Sequence, residues 1–156
     1  MKGLPQRKIN ANMARIVAKL LGRRGPLSRE LAGLLRQGIA DKGKCILLKG
    51  CAKGSGGFVP RPYWDRTGHE CFVNHIHIDP KHRGDPKPLS QGLMYAEQLA
   101  QLLRDSPYRG PFRVILSFHL TDWICTVRFH RVRPGEIWHD ENLDAYKEEA
   151  ILIIDC

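Results

Sequence analysis

Residues 113–132 read RVILSFHLTDWICTVRFHRV and contain two apolar alternations on either side of a short turn. Within Arg113–His119 and within Trp123–Val132, every second residue is apolar. A period of two is typical of a β-strand that turns one face toward a core. The turn at Leu120–Asp122 is short enough to join the two strands directly, so this stretch predicts an antiparallel hairpin.

The hairpin divides its side chains between an apolar face and a polar face. The apolar face is predicted to contain Val114, Leu116, Phe118, Trp123, Cys125, Val127 and Phe129. The opposite face contains Ile115, Ser117, His119, Thr126, Arg128 and His130. Because an antiparallel sheet commonly covers one face with its core, we expect helices to pack on the apolar side of this hairpin.

Helical patterns dominate the N-terminal part of the chain, and more strands are predicted further along. Apolar residues spaced at i, i+3, i+4 and i+7 indicate a helix over 12–22, and Ser28 can cap a second helix that reaches Ile39. The other predicted elements are strands at 44–49, 70–79 and 150–155, a loop at 50–69 and a helix at 90–105. In the strand at 70–79, Phe72 is expected to face the core. The sequence predicts an α+β fold, with a largely antiparallel sheet and with an N-terminal helical pair and one central helix packed on one face.

A chain of 156 residues has the usual size of one domain. We expect a single domain, 1–156, in which a basic helical segment, 1–43, packs on a sheet region, 44–156. The five cysteines include no CxxC pair, which argues against a disulfide framework or a zinc cluster. No run approaches the ~18 apolar residues of a membrane span, and the first residues lack the apolar core of a secretory signal. The sequence therefore predicts a cytoplasmic protein with no membrane partner.

Charge is distributed unevenly along the chain, whose formal net charge is +9. Residues 1–53 contain 13 Lys and Arg against two acidic residues, whereas residues 134–156 contain one basic residue against seven acidic ones. Clustered cations bind phosphates by releasing counterions. The basic end predicts nucleic acid or another polyanion as the partner, and the acidic end could instead neutralise it within the fold.

The predicted nucleic-acid contacts are basic residues of the first two helices and of the following loop, together with one aromatic ring. They are Arg15, Lys19, Arg23, Arg24, Arg29, Arg36, Lys49, Lys53, Arg61, Trp64 and Arg66. In this prediction Arg61 and Arg66 hold the backbone of the nucleic acid, and a base stacks on Trp64.

The polar face of the sheet supplies candidate catalytic residues. They are His75, His77, His119, Arg128 and His130. Two histidines that titrate near neutral pH can act as general base and general acid, and an arginine can stabilise charge that develops on a phosphate. A basic α+β domain with helices before an antiparallel sheet is also similar in general plan to many small toxin-type ribonucleases. A solvated surface with no catalysis is the alternative interpretation of this face, and a histidine-dependent nuclease acting on RNA or DNA is the catalytic interpretation.

Two other interpretations remain open at this stage. Metal-dependent hydrolysis through His75, His77 and Asp79 requires at least one further ligand, with His69 and His82 the nearest in sequence, so we predict neither a metal nor a cofactor. The second is a non-catalytic protein-interaction domain, such as an inhibitor or immunity-type protein or a homodimer, because charged faces give fast and specific association.

Overall fold

The computed structural model describes residues 3–20, 25–53, 58–59 and 64–156. Five of the described strands form one antiparallel sheet in the order β1-β7-β5-β6-β4, and two more form a separate hairpin, β2–β3. The elements are β1 (Gln6–Ile9), α1 (Ala11–Leu20), α2 (Arg29–Gln37), β2 (Ile39–Lys42), β3 (Cys45–Leu48), α3 (Arg66–Val73), β4 (Ile76–Ile78), α4 (Lys87–Asp105), β5 (Phe112–His119), β6 (Cys125–Arg131), a 3₁₀ turn (Leu143–Ala145) and β7 (Glu149–Asp155).

The hairpin predicted from residues 113–132 is confirmed as β5–β6. Val114 pairs with Phe129 and Leu116 pairs with Val127 across the two strands. On its other side β5 pairs with β7, which places Leu152 beside Leu116. The alternation in the sequence therefore predicted both strands and the side chains that face the helices, although Trp123, expected in the second strand, precedes β6.

Helices α1, α2 and α4 cover one face of the sheet, which confirms the α+β fold. Met13 of α1, Leu31 of α2 and Leu99 of α4 lie in the same buried cluster as Leu116 and Phe129. Ser28 caps α2 as predicted, since its hydroxyl accepts a hydrogen bond from the Leu31 N–H at 3.3 Å. The core lies between these helices and the apolar face of β5, β6 and β7.

Residues 66–73 form a helix, where the sequence predicted the end of a loop and the start of a strand. Asp65 starts α3, because its side chain accepts a hydrogen bond from the Gly68 N–H at 2.7 Å. Only Ile76–Ile78 of the strand predicted at 70–79 is extended. Phe72, predicted to face the core, is 60% exposed. A short amphipathic helix of this kind resembles strand alternation over so few residues, which is why the prediction was wrong.

Two side chains of α3 join the β2–β3 hairpin to the main sheet. The carboxylate of Glu70 accepts hydrogen bonds from the N–H groups of Ile46 in β3 and Arg131 in β6, both at 2.7 Å. The Asn74 amide donates to the carbonyls of Ile46, at 2.8 Å, and Phe129, at 3.3 Å. These side chains therefore satisfy backbone groups of β3 and β6 that do not pair with each other as strands.

Three other boundaries differ from the sequence prediction. Ile39 begins β2 and does not end α2, because Gly38 adopts a left-handed φ of 75° that terminates the helix. Helix α4 begins at Lys87, before Ser90, with proline in its first turn. Strand β1 was not predicted, since its four residues are all exposed and show no alternation. No helix in the described ranges is long and apolar enough to cross a membrane.

The sheet face opposite the helices is partly covered by the segment between β6 and β7. Leu143 and Tyr146 from this segment pack on Ile115, Ile151 and Ile153. The segment leaves the surface beside β4 and the start of β6 uncovered, and His77 is exposed there. This uncovered part of the sheet carries the candidate site.

Candidate nucleic-acid interface

His75 and His77 lie side by side at the β4 edge of the sheet. Their ring centroids are 4.8 Å apart, with an interplanar angle of 76°. Nδ1 of His77 hydrogen-bonds Oγ1 of Thr126 at 3.0 Å, directly across from it on β6, and Nδ1 of His75 donates to the Phe72 carbonyl. These bonds hold both rings in place, so the two histidines form one surface.

Arg128 lies on the same face of β6 as Thr126, two residues further along the strand. Its guanidinium carbon is 5.2 Å from the centroid of the Trp138 ring, which is a cation–π arrangement. Trp138 comes from the segment that crosses this face of the sheet and is 40% exposed. The arginine charge is therefore held beside an exposed aromatic ring.

The pKa of His77 is lowered from its ordinary value. Partial burial disfavours the charged ring, and the nearby His75 and Arg128 lower the pKa further, while Asp79 opposes them. His77 is therefore largely neutral at neutral pH. An anion bound at this surface would favour the protonated form, because it adds an opposite charge.

Aromatic rings continue from the two histidines along α3. The Phe72 ring is 5.9 Å from His75, and the Trp64 ring is 5.6 Å from Phe72, measured between centroids. We call Trp64, Phe72, His75 and His77 the ring row. Trp64 and Trp138 both lie within 3.9 Å of the position that a Cβ would occupy at Gly68, so Trp138 flanks the ring row across α3. Both indoles therefore pack against the same position of the helix.

Three of the five candidate catalytic residues come together, and two do not. His75, His77 and Arg128 share the surface described above. His119 lies at the end of β5, where its ring nitrogens are 3.5 Å from Asp122 and 3.9 Å from Glu148. His130 is only 3% exposed, and its Nδ1 donates to the Arg131 carbonyl at 2.8 Å.

The basic residues predicted to contact nucleic acid lie on separate elements of the fold. Helix α1 packs on β7, whereas α2 packs on α4 and β3. The exposed cations are Arg15 and Lys19 on α1, Arg29 and Arg36 on α2, and Lys49 and Lys53 after β3. Arg23, Arg24 and Arg61 lie outside the described residues.

The acidic segment 134–156 engages groups other than these cations. Asp144 accepts a hydrogen bond from the Ala11 N–H at the start of α1, at 2.8 Å, and Asp155 pairs with Arg113 on β5, at 2.5 Å. In the described part of the chain, none of the six exposed cations forms an ion pair with a carboxylate. Their charge is therefore not neutralised by the chain's own acidic residues.

Trp64 and Arg66 flank the start of α3. Trp64 belongs to the ring row, and the Arg66 guanidinium carbon lies 5.5 Å from the centroid of the Phe58 ring. Phe58 in turn contacts His69 edge-on, with centroids 5.7 Å apart. Arg66 is the first residue of α3, whereas Phe58 and Trp64 precede the helix.

A cleft of 470 Å³ opens beside His77. It is bounded by the start of α2, by β4 and by the loop leading into α4. His77 and Asp79 line it, but in the described ranges no three His, Cys, Asp or Glu side chains are grouped closely enough to hold a metal ion. His75, His77 and Asp79 therefore do not form the ligand cluster that the metal-dependent alternative requires.

Sequence reasoning missed two important rings of this surface. Phe72 was assigned to the core because it falls on the apolar alternation of the predicted strand. Trp138 lies in a segment without periodicity, so no pattern related it to Arg128. The signal that could have identified the surface is the number of rings close to basic residues between 58 and 75.

The comparisons with known proteins identify a family but no activity. No curated protein and no solved structure matches the chain. One sequence family matches residues 8–156, which is nearly the whole chain. The chain therefore belongs to the family described as Uncharacterized protein PM0498 family.

Proposed function

We propose that this protein binds nucleic acid and holds a single strand on the ring row. The observation that carries the proposal is the continuous series of rings from Trp64 through Phe72 and His75 to His77, with neighbouring centroids 4.8 to 5.9 Å apart. Unpaired bases stack on aromatic side chains, and every base has a face that can do so. A duplex keeps its bases stacked inside, so the ring row favours a single strand.

Charge near the ring row supports the same conclusion. Arg128 lies beside the two histidines and can contact a phosphate of the strand through its guanidinium group. His77 supplies a second charge when it is protonated. The exposed cations of α1 and α2 add attraction for the remaining backbone, and this attraction weakens as salt increases.

Histidine geometry favours binding over cleavage. In an in-line displacement at phosphorus, the attacking and leaving oxygens lie on opposite sides of the phosphorus atom, so the acid and the base must reach opposite sides. The rings of His75 and His77 contact each other and present one side to a ligand. His119 and His130 lie elsewhere, so the four candidate catalytic histidines provide no pair placed to act from both sides.

The test is a binding titration with a short labelled RNA or DNA single strand and with the matching duplex. We expect the single strand to bind more tightly, and both Phe72→Ala and Trp138→Ala to weaken binding by about 5- to 150-fold, which corresponds to the ~1–3 kcal/mol of one base–ring stack. Ile137→Ala is the matched control, because Ile137 is 80% exposed and apolar but has no ring. Equal binding by wild type and both ring variants would refute the proposal.

The nuclease interpretation is tested in the same samples. Gel analysis of the labelled strand after long incubation shows whether it is cut. Cleavage that disappears in His77→Gln, with binding retained, would establish a catalytic role. An intact strand supports a binding function alone.

A protein-interaction domain is the second candidate, supported by exposed apolar side chains. Phe72, Trp138 and Ile137 expose 60%, 40% and 80% of their surface. Grouped exposed apolar residues commonly mark protein interfaces. Under this alternative Ile137→Ala disrupts association as strongly as Trp138→Ala, and light scattering of the wild type shows a dimer. A monomer whose strand binding is insensitive to Ile137 excludes it.

A further inference from the structure

The cleft beside His77 has the size and the wall of a small-molecule site. Its 470 Å³ lies within the roughly 300–1,000 Å³ that such sites occupy. One side is apolar and consists of Leu31 and Leu34 from α2 with Ile76 and Ile78 from β4. A flat ring system can pack on this apolar side.

Five charged side chains line the same cleft: Glu30, Asp79, Lys81, Asp85 and Lys87. In the described part of the chain, none of them forms an ion pair with another side chain. The two lysines can hold an anionic group. Asp85 is engaged by backbone N–H groups, so the carboxylates of Glu30 and Asp79 are the ones that can accept hydrogen bonds from amino or hydroxyl groups of a ligand. The chemistry of the cleft therefore suits a ligand that carries an anion, a ring and hydrogen-bond donors.

Asp85 fixes the loop that carries the two lysines. Its carboxylate accepts a hydrogen bond from the Lys81 N–H and another from the Lys87 N–H, each at 3.0 Å. Gly84, with a φ of 80°, allows the tight turn between them. The backbone positions of both lysines are thus set before a ligand arrives, which reduces the ordering that binding requires.

His77 belongs to the ring row and also lines the cleft. Ile76 and Ile78 point to the other face of β4, which is the edge strand of the sheet, so a strand on the ring row reaches the cleft around this edge. Resting on the function proposed above, we propose that the cleft holds one nucleotide of the bound strand, with its base between Leu31 and Ile76 and its phosphate at Lys81 and Lys87. Glu30 and Asp79 then accept hydrogen bonds from base amino groups or sugar hydroxyls.

Methyl NMR of the full chain tests this assignment, with nucleoside 5′-monophosphates and inorganic phosphate as separate probes. We expect a nucleoside monophosphate to shift the methyl signals of Leu31, Leu34 and Ile76, and to bind more tightly than inorganic phosphate. The double variant Lys81→Ala/Lys87→Ala should weaken this binding by about tenfold or more. Lys42→Ala/Lys147→Ala removes the same charge at exposed positions outside the cleft and should change binding less than about twofold.

The outcomes separate this inference from the function on which it rests. If single strands bind but the monophosphate leaves the three methyl signals unchanged, or both double variants behave alike, the cleft assignment is wrong and strand binding stands. Inorganic phosphate that binds as tightly as the nucleotide also overturns the assignment. If the monophosphate binds in the cleft while no oligonucleotide binds, the strand-binding function fails and the cleft is a nucleotide site by itself.

Discussion

Glu70 and Arg133 form a two-pronged ion pair at the junction of the two sheets, with Nη2 2.7 Å from Oε1 and Nη1 2.9 Å from Oε2. The Glu70 side chain is fully buried, and that of Arg133 is 14% exposed. The same carboxylate accepts backbone hydrogen bonds from Ile46 and Arg131. A single side chain of α3 therefore links β3, β6 and the arginine that follows β6.

Replacing Glu70 by glutamine should destabilise the protein strongly. Glu70→Gln leaves the Arg133 guanidinium without its counter-charge in a mostly buried place, and breaking such a pair lowers the free energy of unfolding by about 3–5 kcal/mol. Urea unfolding followed by circular dichroism measures the change. Glu97→Gln is the matched control, because it breaks the exposed pair between Glu97 and Arg7 and should lower stability by about 1 kcal/mol or less. Similar losses of unfolding free energy in the two variants would show that the buried pair contributes no more to stability than the exposed pair.

Gly92 marks the closest approach of α4 to the sheet. A Cβ at this position would overlap the Cys125 Sγ and lie 3.2 Å from a Leu116 methyl group. Alanine normally favours a helix over glycine by about 1 kcal/mol, but overpacking a core is unfavourable by about 1–3 kcal/mol. We expect Gly92→Ala to lower the unfolding midpoint in a thermal melt.

Combining Gly92→Ala with Cys125→Ala tests the cause of that loss. The second substitution removes the sulfur that the new methyl group meets, so the double variant should lose less stability than the sum of the two single variants. Additive losses would mean that the contact with Cys125 is not responsible.

The contrast between the hairpin and α3 shows what could be predicted from the sequence. Val114, Leu116 and Phe129 alternate over long strands, and this repetition identifies a buried face without knowledge of neighbours. Helix α3 has eight residues, and buried Glu70 and Asn74 are stabilised there by backbone groups far away in the sequence. The local sequence pattern contains no information about such distant partners, so it predicted a strand where the chain forms a helix.

The candidate site was likewise predictable only in part. His77 lies opposite Thr126, and the same register continued by two residues places His75 near Arg128. The two-residue spacing on two paired strands therefore brought these groups together. His130 continues the same polar alternation but is buried. Burial lowers the pKa of His139, and Arg113 and His130 lower it further. Strand alternation does not show which polar-face residues are covered by the segment between β6 and β7, because that segment has no periodicity of its own.

His130 should make the protein less stable in mild acid. Burial lowers its pKa in the folded state, against an ordinary value of about 6.5 in the unfolded chain. The unfolded state therefore binds more protons below about pH 6.5, and stability falls as the pH decreases from there toward the folded-state pKa. Burial also lowers the pKa values of His69 and His139, so these two residues reduce stability in acid in the same way. Urea unfolding at about pH 7.5 and about pH 5.5 should show a smaller difference for His130→Phe than for wild type; an unchanged difference would argue against this role.

Strand binding should strengthen as the pH falls, through His77. Its pKa is lowered by partial burial and by His75 and Arg128, so the ring is neutral at neutral pH and gains its proton when a phosphate approaches or the solution becomes more acidic. Uptake of one proton on binding increases the affinity by at most about tenfold per pH unit below the bound-state pKa. Fluorescence anisotropy at constant salt, from about pH 7.5 to about pH 5.5, should give a shallower slope for His77→Gln than for wild type. His119→Gln, two strands away on β5 beside Asp122 and Glu148, should retain the wild-type slope. A slope that is lost in His119→Gln and kept in His77→Gln would assign the proton to a residue outside the ring row and would contradict the ring row as the binding surface.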